Sequence, residues 1–225
     1  GNTATVLGAL EGLLQPRHSV DRITVVDYRV NGCCGCDGCQ ERLDEPGCAQ
    51  RDDVPILLRR ILDADLVVYA SPVYCWGFPA QLKALLDRHY CLTKWKGVDS
   101  AVSLMRGKRA ALLATCGSDA TDNADLMQAM FDREIEYLQG VVAGHWVVDN
   151  CNDPANLGVR ALENLAPEAL LPVPPGFTPS WSPSFSSIHG PKAVLAEANG
   201  LLDGLGADPE HTTGNLSALD PWGIM

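Results

Sequence analysis

Nine cysteines stand at positions 33, 34, 36, 39, 48, 75, 91, 116 and 151, and five of them fall within sixteen consecutive residues. An odd number spread over 225 residues does not read as the disulfide framework of a small secreted domain. In a cytosolic chain, tight cysteine spacing points to metal or redox chemistry. Cys33, Cys36 and Cys39 follow one another at two-residue intervals, which lets neighbouring loops aim sulfurs at one centre, and Cys48 is the natural fourth ligand. Four thiolates can hold a [4Fe–4S] cluster. The same four could hold tetrahedral zinc, or the loop could hold no metal at all. Cys34 is an available substitute or a bystander.

Two further stretches place polar and aromatic groups after strand-like runs. The apolar run 66–70 leads into Ser71, Pro72, Val73, Tyr74, Cys75, Trp76 and Gly77, then through Phe78 and Pro79 into a helix. A Pro/Gly-stiffened loop with two exposed-type aromatics offers stacking faces and backbone donors to a flat ring, although the same aromatics could plug the core. The run 110–115 ends in Thr115, Cys116, Gly117 and Ser118, a hydroxyl and flexible amides suited to a polar ring edge, or an ordinary turn. A nucleophilic Cys116 would need a partner base, and the sequence places none beside it. Asn2 and Thr3 open a helix, where unpaired amides and the positive dipole end attract an anion. Asp52 and Asp53, ahead of Pro55, read as a helix cap. None of the five histidines has metal-binding spacing, and none is given a role.

These stretches are positioned by alternating elements. Residues 3–14 have helical spacing, 23–27 read as a strand, and a helix starting at Asp53 precedes the strand 66–70. A helix from Pro79, a strand 110–115, a helix through Met127 and Leu138 and a short strand 145–148 complete the series. Strands apolar throughout, separated by helices, indicate a doubly wound parallel sheet covered on both faces, with ligands at the carboxyl ends of its strands. From 172 to 225, eight of the fifteen prolines break the pattern, with one helix expected near 192–205. The expected organisation is a domain over 1–171 with a Cys-rich insert at 31–52, and a C-terminal extension over 172–225.

Composition narrows the function. Of the residues 46% are apolar and 20% charged, enough for a sizeable core. A net charge of −11 repels a polyanion, so nucleic acid is not an expected partner. No apolar run reaches the roughly 20 residues of a membrane span, and the first residues lack a secretory signal, so a cytoplasmic chain is expected.

In combination, Gly1-Asn2-Thr3, the Cys33, Cys36, Cys39 and Cys48 run with Asp52-Asp53, Ala64-Asp65, Ser71-Pro72-Val73-Tyr74, the segment from Gln81 to Arg88, and Arg106-Gly107-Lys108 resemble the flavodoxin-like NAD(P)H-dependent FMN reductases. The cysteines resemble those of the iron–sulfur flavoprotein branch. The resemblance covers roughly residues 1–150 and implies a sheet of order 2-1-3-4-5. It implies an FMN phosphate at Asn2 and Thr3, an isoalloxazine against Ser71, Pro72, Val73, Tyr74, Cys75, Trp76 and Gly77, and a further contact loop at Thr115, Cys116, Gly117 and Ser118. It also implies a [4Fe–4S] cluster, NAD(P)H or reduced ferredoxin as donor, a small-molecule or protein electron acceptor, and a homodimer or homotetramer. The family begins with a strand ahead of Gly-Asn-Thr, so residues upstream of Gly1 are expected. No G-x-G-x-x-G follows a strand, and the dinucleotide rests on the resemblance alone. A plain FMN or quinone reductase without a cluster and a zinc-stabilised, non-enzymatic binding module are the alternatives.

Overall fold

The computed structural model describes residues 1–15, 18–152, 157 and 215–220, the last as backbone only. Helix α1 spans Asn2–Leu14, strand β1 Ser19–Thr24, α2 Val54–Asp63, β2 Leu66–Pro72 and α3 Ala80–Asp87. A two-residue hairpin pair, β3 Thr93–Lys94 and β4 Val102–Ser103, is followed by β5 Arg109–Thr115, α4 Asp125–Tyr137, β6 Val141–Val148 and β7 Asn215–Asp220. Five strands form one parallel sheet in the order β1-β7-β2-β5-β6.

The apolar strands sort their side chains by a period of two, as a sheet covered on both faces requires. Val67 and Tyr69 of β2, with Ala110, Leu112 and Ala114 of β5, face a core shared with Leu57, Leu58 and Ile61 of α2, Leu82 and Leu85 of α3, and Met127 and Phe131 of α4. Leu66, Val68 and Ala70, with Ala111 and Leu113, face the opposite way onto Val6, Leu7, Leu10 and Leu14 of α1. Among the described residues one side is therefore covered by three helices and the other by α1 with Leu157, the flavodoxin-like arrangement.

Three differences from the sequence reading have physical causes. The first strand is Ser19–Thr24 rather than 23–27, and Val25–Asp27 turn as a 3-10 segment. Among the described residues strand β1 pairs on one side only and its polar residues are exposed or half-buried, and apolar density marked the turn instead. The slot assigned to a strand ahead of residue 1 is filled by β7, whose two neighbours are β1 and β2. Part of the segment expected to be irregular is thus a strand, because a central slot left open would strand two rows of backbone hydrogen-bonding groups. The helix expected near 192–205 lies outside the described residues.

Register sets the site. Strands β2 and β5 pair from Leu66 with Arg109 to Pro72 with Thr115, so both end at the same edge, and the ladder continues one step as Val73 N–H donates to the Thr115 carbonyl at 2.8 Å. Among the described residues no helix is long and apolar enough to cross a membrane.

Candidate functional site

The carboxyl ends of β2, β5 and β6 and the N-terminus of α1 enclose a cleft of about 210 Å³ lined by Gly1, Asn2, Thr3, Ala4, Pro72, Val73, Tyr74, Thr115, Cys116, Gly117 and Cys151. Thr3 lies in the first turn of α1, which contains no acidic side chain, so no carboxylate of that turn competes with an incoming anion for its amides. The Thr3 hydroxyl shares a 2.7 Å hydrogen bond with that of Thr115. Asn2 is tied to the far wall, its Nδ2 donating to the Cys151 carbonyl at 2.6 Å.

The loop after β2 is rigid by construction. Tyr74 and Gly77 exchange two backbone hydrogen bonds of 3.0 Å, closing a tight turn whose central residues, Cys75 and Trp76, take φ of 48° and 63°. Such positive φ values at non-glycine residues carry strain and mark sites held for a purpose. The Trp76 indole is 57% exposed and is steered by a 3.1 Å bond from Nε1 to the Asp122 carbonyl. With Cys75, Ser118, Asp119, Thr121, Asp122 and Asn123 it lines an open groove of about 520 Å³.

Burial, then Asp149, Cys151 and Asp119, push the Cys116 thiol up to about 11. It is a protonated group at neutral pH whose Sγ–H points to the Ser118 carbonyl at 3.3 Å, the opposite of an activated nucleophile.

A second, narrow pocket is walled by Cys33, Cys34, Cys36, Asp37, Cys39, Cys48, Gln50, Arg88, Tyr90 and Cys91. Its loop is pinned from outside. Tyr90 donates its hydroxyl proton to Asp37 Oδ1 at 2.8 Å, Gln50 Nε2 donates to the Gly32 carbonyl at 2.9 Å, and Gln40 bridges to Thr93 and Trp95. Cys33, Cys34 and Cys36 are exposed, whereas Cys39 is buried and Cys48 half-buried. The Gly38 backbone N–H, then the Cys34 thiol, lower the Cys36 thiol below its usual range, while burial raises Cys39. Asp52 forms an ion pair with Arg88 in which both side chains are out of solvent, 0% and 1% exposed. Burial alone would raise its carboxyl, but hydrogen bonds from Arg88 and the Asn31 amide outweigh that and hold it below the usual carboxylate range. Asp52 is therefore only in part the cap expected of it: Oδ1 accepts the Val54 amide at 3.3 Å, and its principal partner is a guanidinium.

The pattern of the chain matches the model of one protein family, NADPH-dependent FMN reductase, over residues 1–151. The chain belongs to this family. Among curated relatives, an iron–sulfur flavoprotein of Methanocaldococcus jannaschii is 37% identical over 89 residues, 39% of this chain and 45% of that protein. An iron–sulfur flavoprotein of Archaeoglobus fulgidus is 36% identical over 89 residues, 39% of either chain. The chain thus spans less than half the length of these two relatives. An FMN-dependent NADH:quinone oxidoreductase of Stenotrophomonas maltophilia is 30% identical over 140 residues, 61% of this chain and 67% of that one. Among solved structures, the NAD(P)H:quinone oxidoreductase from Methanothermobacter marburgensis superposes with a TM-score of 0.54 at 16% identity, covering 73% of this chain and 88% of that one. It shares the fold.

Within this FMN reductase fold, Asn2, Thr3, Pro72, Val73, Tyr74, Thr115, Cys116 and Gly117 meet in the cleft. Cys75, Trp76 and Ser118 line the adjoining groove instead. Ser71 is buried, its hydroxyl donating to the Pro72 carbonyl, and Gly77 closes the turn, so both shape the loop without lining either space. Cys151, the groove residues Thr121, Asp122 and Asn123 and, in the cysteine pocket, Cys91 escaped the sequence reading. Cys151 stands three residues after the end of β6, which was the available signal for it.

The four cysteines named as ligands share one pocket, but among the described residues no three His, Cys, Asp or Glu side chains converge where a single metal ion could sit. Zinc needs its sulfurs about 2.3 Å from one point. A cubane binds each thiolate to a different iron and spreads the sulfurs more widely. The buried Arg88, whose Nε has no partner among the described residues, fits an anionic occupant.

Proposed function

We propose that the chain is an FMN-dependent oxidoreductase that accepts electrons from NAD(P)H or a reduced protein donor and passes them, through a [4Fe–4S] cluster in the cysteine pocket, to a small-molecule or protein acceptor. The observation that carries this reading is the convergence of three strand ends and an acid-free helix N-terminus on one cleft. FMN, when bound, exchanges two electrons with a nicotinamide and one at a time with an iron–sulfur cluster.

The chain's own residues bind and orient. The first-turn amides of α1 and the Thr3 hydroxyl would hold the phosphate. Pro72, Val73 and Tyr74 would flank the ring, and the backbone amides of Cys75 and Trp76, which donate to no atom among the described residues, would face its polar edge. Cys33, Cys36, Cys39 and Cys48 would hold the cluster. The names of the relatives agree with both cofactors; an assembly of two or four copies is part of the same proposal.

The test is a visible spectrum of protein purified without oxygen, with iron, acid-labile sulfide and flavin measured on the same sample. Flavin bands over a broad absorbance that dithionite bleaches, with about four irons per chain, are expected. Flavin without iron would reduce the proposal to a plain FMN or quinone reductase. A colourless protein that takes up no added FMN would overturn it in favour of a binding module.

A further inference from the structure

Two buried cations, Arg88 in the wall of the cysteine pocket and Lys94 beside it, contact the residues that carry its sulfurs, and one buried carboxylate, Asp52, pairs with Arg88. Arg88 is 1% exposed and forms part of the wall. Its Nη1 donates to Asp52 Oδ2 at 2.6 Å and to the Asn31 carbonyl at 2.8 Å. Its Nη2 donates to Asp52 Oδ1 at 3.2 Å and to Cys48 Sγ at 3.1 Å. Lys94 is likewise 1% exposed, and its Nζ donates to the carbonyls of Cys39 at 2.9 Å and Pro46 at 3.1 Å. No carboxylate among the described residues forms an ion pair with Lys94; Asp44 and Glu45 act on it only from a longer range. Asp52 thus balances Arg88, no buried carboxylate among the described residues pairs with Lys94, and both cations touch residues that carry the pocket's sulfurs.

A buried ammonium without a counter-charge is costly, so such a group persists where something anionic faces it. A [4Fe–4S] cube with four thiolates is anionic in both of its oxidation levels and more so when reduced. Hydrogen bonds to its sulfurs and nearby positive charge favour the reduced form and raise the potential.

We infer that Arg88 and Lys94 are counter-charges built for an iron–sulfur cluster in this pocket and that together they hold its reduction potential up. The inference rests on the cluster reading proposed above and adds which residues of the chain set the potential. Both are positioning residues rather than ligands. Arg88 orients the Cys48 sulfur while anchored to Asp52, and Lys94 ties the Cys39 turn to the Pro46 segment, fixing the two ends of the connection between Cys39 and Cys48.

The test is an EPR-monitored redox titration of anaerobically purified holoprotein, with the flavin potential recorded in parallel. Lys94→Gln removes the charge and keeps a donor for one carbonyl. The double variant Asp52→Asn with Arg88→Gln removes the ion pair as a unit, so that no lone carboxylate is left buried. Both are expected to retain four irons and flavin, to shift the cluster midpoint to more negative values, Lys94→Gln through its lost charge and the charge-neutral double variant through its lost hydrogen bond to Cys48 Sγ, and to leave the flavin midpoint within error of the wild type. Arg88→Lys, which keeps the charge and loses the fork, should shift it less than the double variant. If the double variant loses its iron, Lys94→Gln and Arg88→Lys decide. Iron-replete variants with an unmoved cluster midpoint would overturn the inference while leaving the cluster in place. A wild type without iron would overturn the cluster reading itself.

Discussion

Thr3 and Thr115 lie 112 positions apart in sequence, yet their hydroxyl oxygens share a buried 2.7 Å hydrogen bond across the floor of the cleft. That bond ties the first turn of α1 to the last residue of β5, the two elements that an anion at the helix end would sit between. Neither side chain is free to leave, since Thr3 is 5% and Thr115 3% exposed.

Thr3→Val keeps the shape and removes the hydroxyl. It is expected to weaken FMN binding about fivefold to tenfold, the value of roughly one net hydrogen bond. Thr3→Ser should bind like the wild type. Quenching of FMN fluorescence on titration into apoprotein measures both, and an unchanged affinity for Thr3→Val would remove the phosphate from this end of α1.

Trp76 separates a cofactor role from a packing role. Its φ of 63° suits glycine better than tryptophan, and more than half of its surface is exposed. Trp76→Gly is therefore expected to leave the denaturation midpoint of the apoprotein unchanged or raised, while FMN affinity falls about tenfold from the lost stacking face. A loss of stability without a loss of affinity would make the indole a structural plug.

How far the sequence reveals such a site depends on burial. Strands β2 and β5 were legible because both of their faces are covered, so Leu66 to Ala70 and Ala110 to Ala114 are apolar without interruption. The residues following them could then be placed at the sheet's carboxyl edge with no further information. Strand β1 was misplaced because an edge strand with one buried residue, Ile23, has no such signature. The ion pair of Arg88 with Asp52 was invisible for a different reason. It joins positions 36 apart through tertiary packing, and a carboxylate ahead of a helix satisfies the rule for a cap whether or not an arginine also reaches it. The filling of the central slot by β7 is likewise non-local, since Asn215–Asp220 pairs with strands 150 or more residues earlier.

Gly47 controls the approach to Cys48. Its φ is +63°, and a Cβ added there would stand 2.8 Å from the Arg42 Cβ, so Arg42 or the backbone leading to the cysteine must shift. Gly47→Ala is expected to cost about 1–2 kcal/mol of stability and to lower the iron retained per chain, with flavin content unaffected. Iron analysis beside thermal denaturation checks this; equal iron in the variant would show that the Cys48 position tolerates the displacement.

Lys108 gives the pH dependence a sign. It is 2% exposed, with Nζ donating to the Ala64 carbonyl at 3.0 Å, and burial brings its pKa down to about 8 despite the opposing pull of Asp65 and Asp63. Below that value the folded protein must keep a buried ammonium charged. Between about 8 and the ordinary lysine range the native state has released the proton and the unfolded chain still binds it, so this group makes stability rise with pH. Cys116 and Cys91, raised mainly by burial to about 11 and about 12, act in the opposite direction above their ordinary range, which masks the rise at high pH. The clean measurement is therefore a difference. Urea denaturation of the wild type and Lys108→Met at half-unit steps from pH 7 to 9.5 should show the variant's relative stability falling as pH rises, by at most about 1.4 kcal/mol per unit. A gap that stays constant across that range would mean that Lys108 remains protonated in the fold and that its burial is compensated by the carboxylates around it.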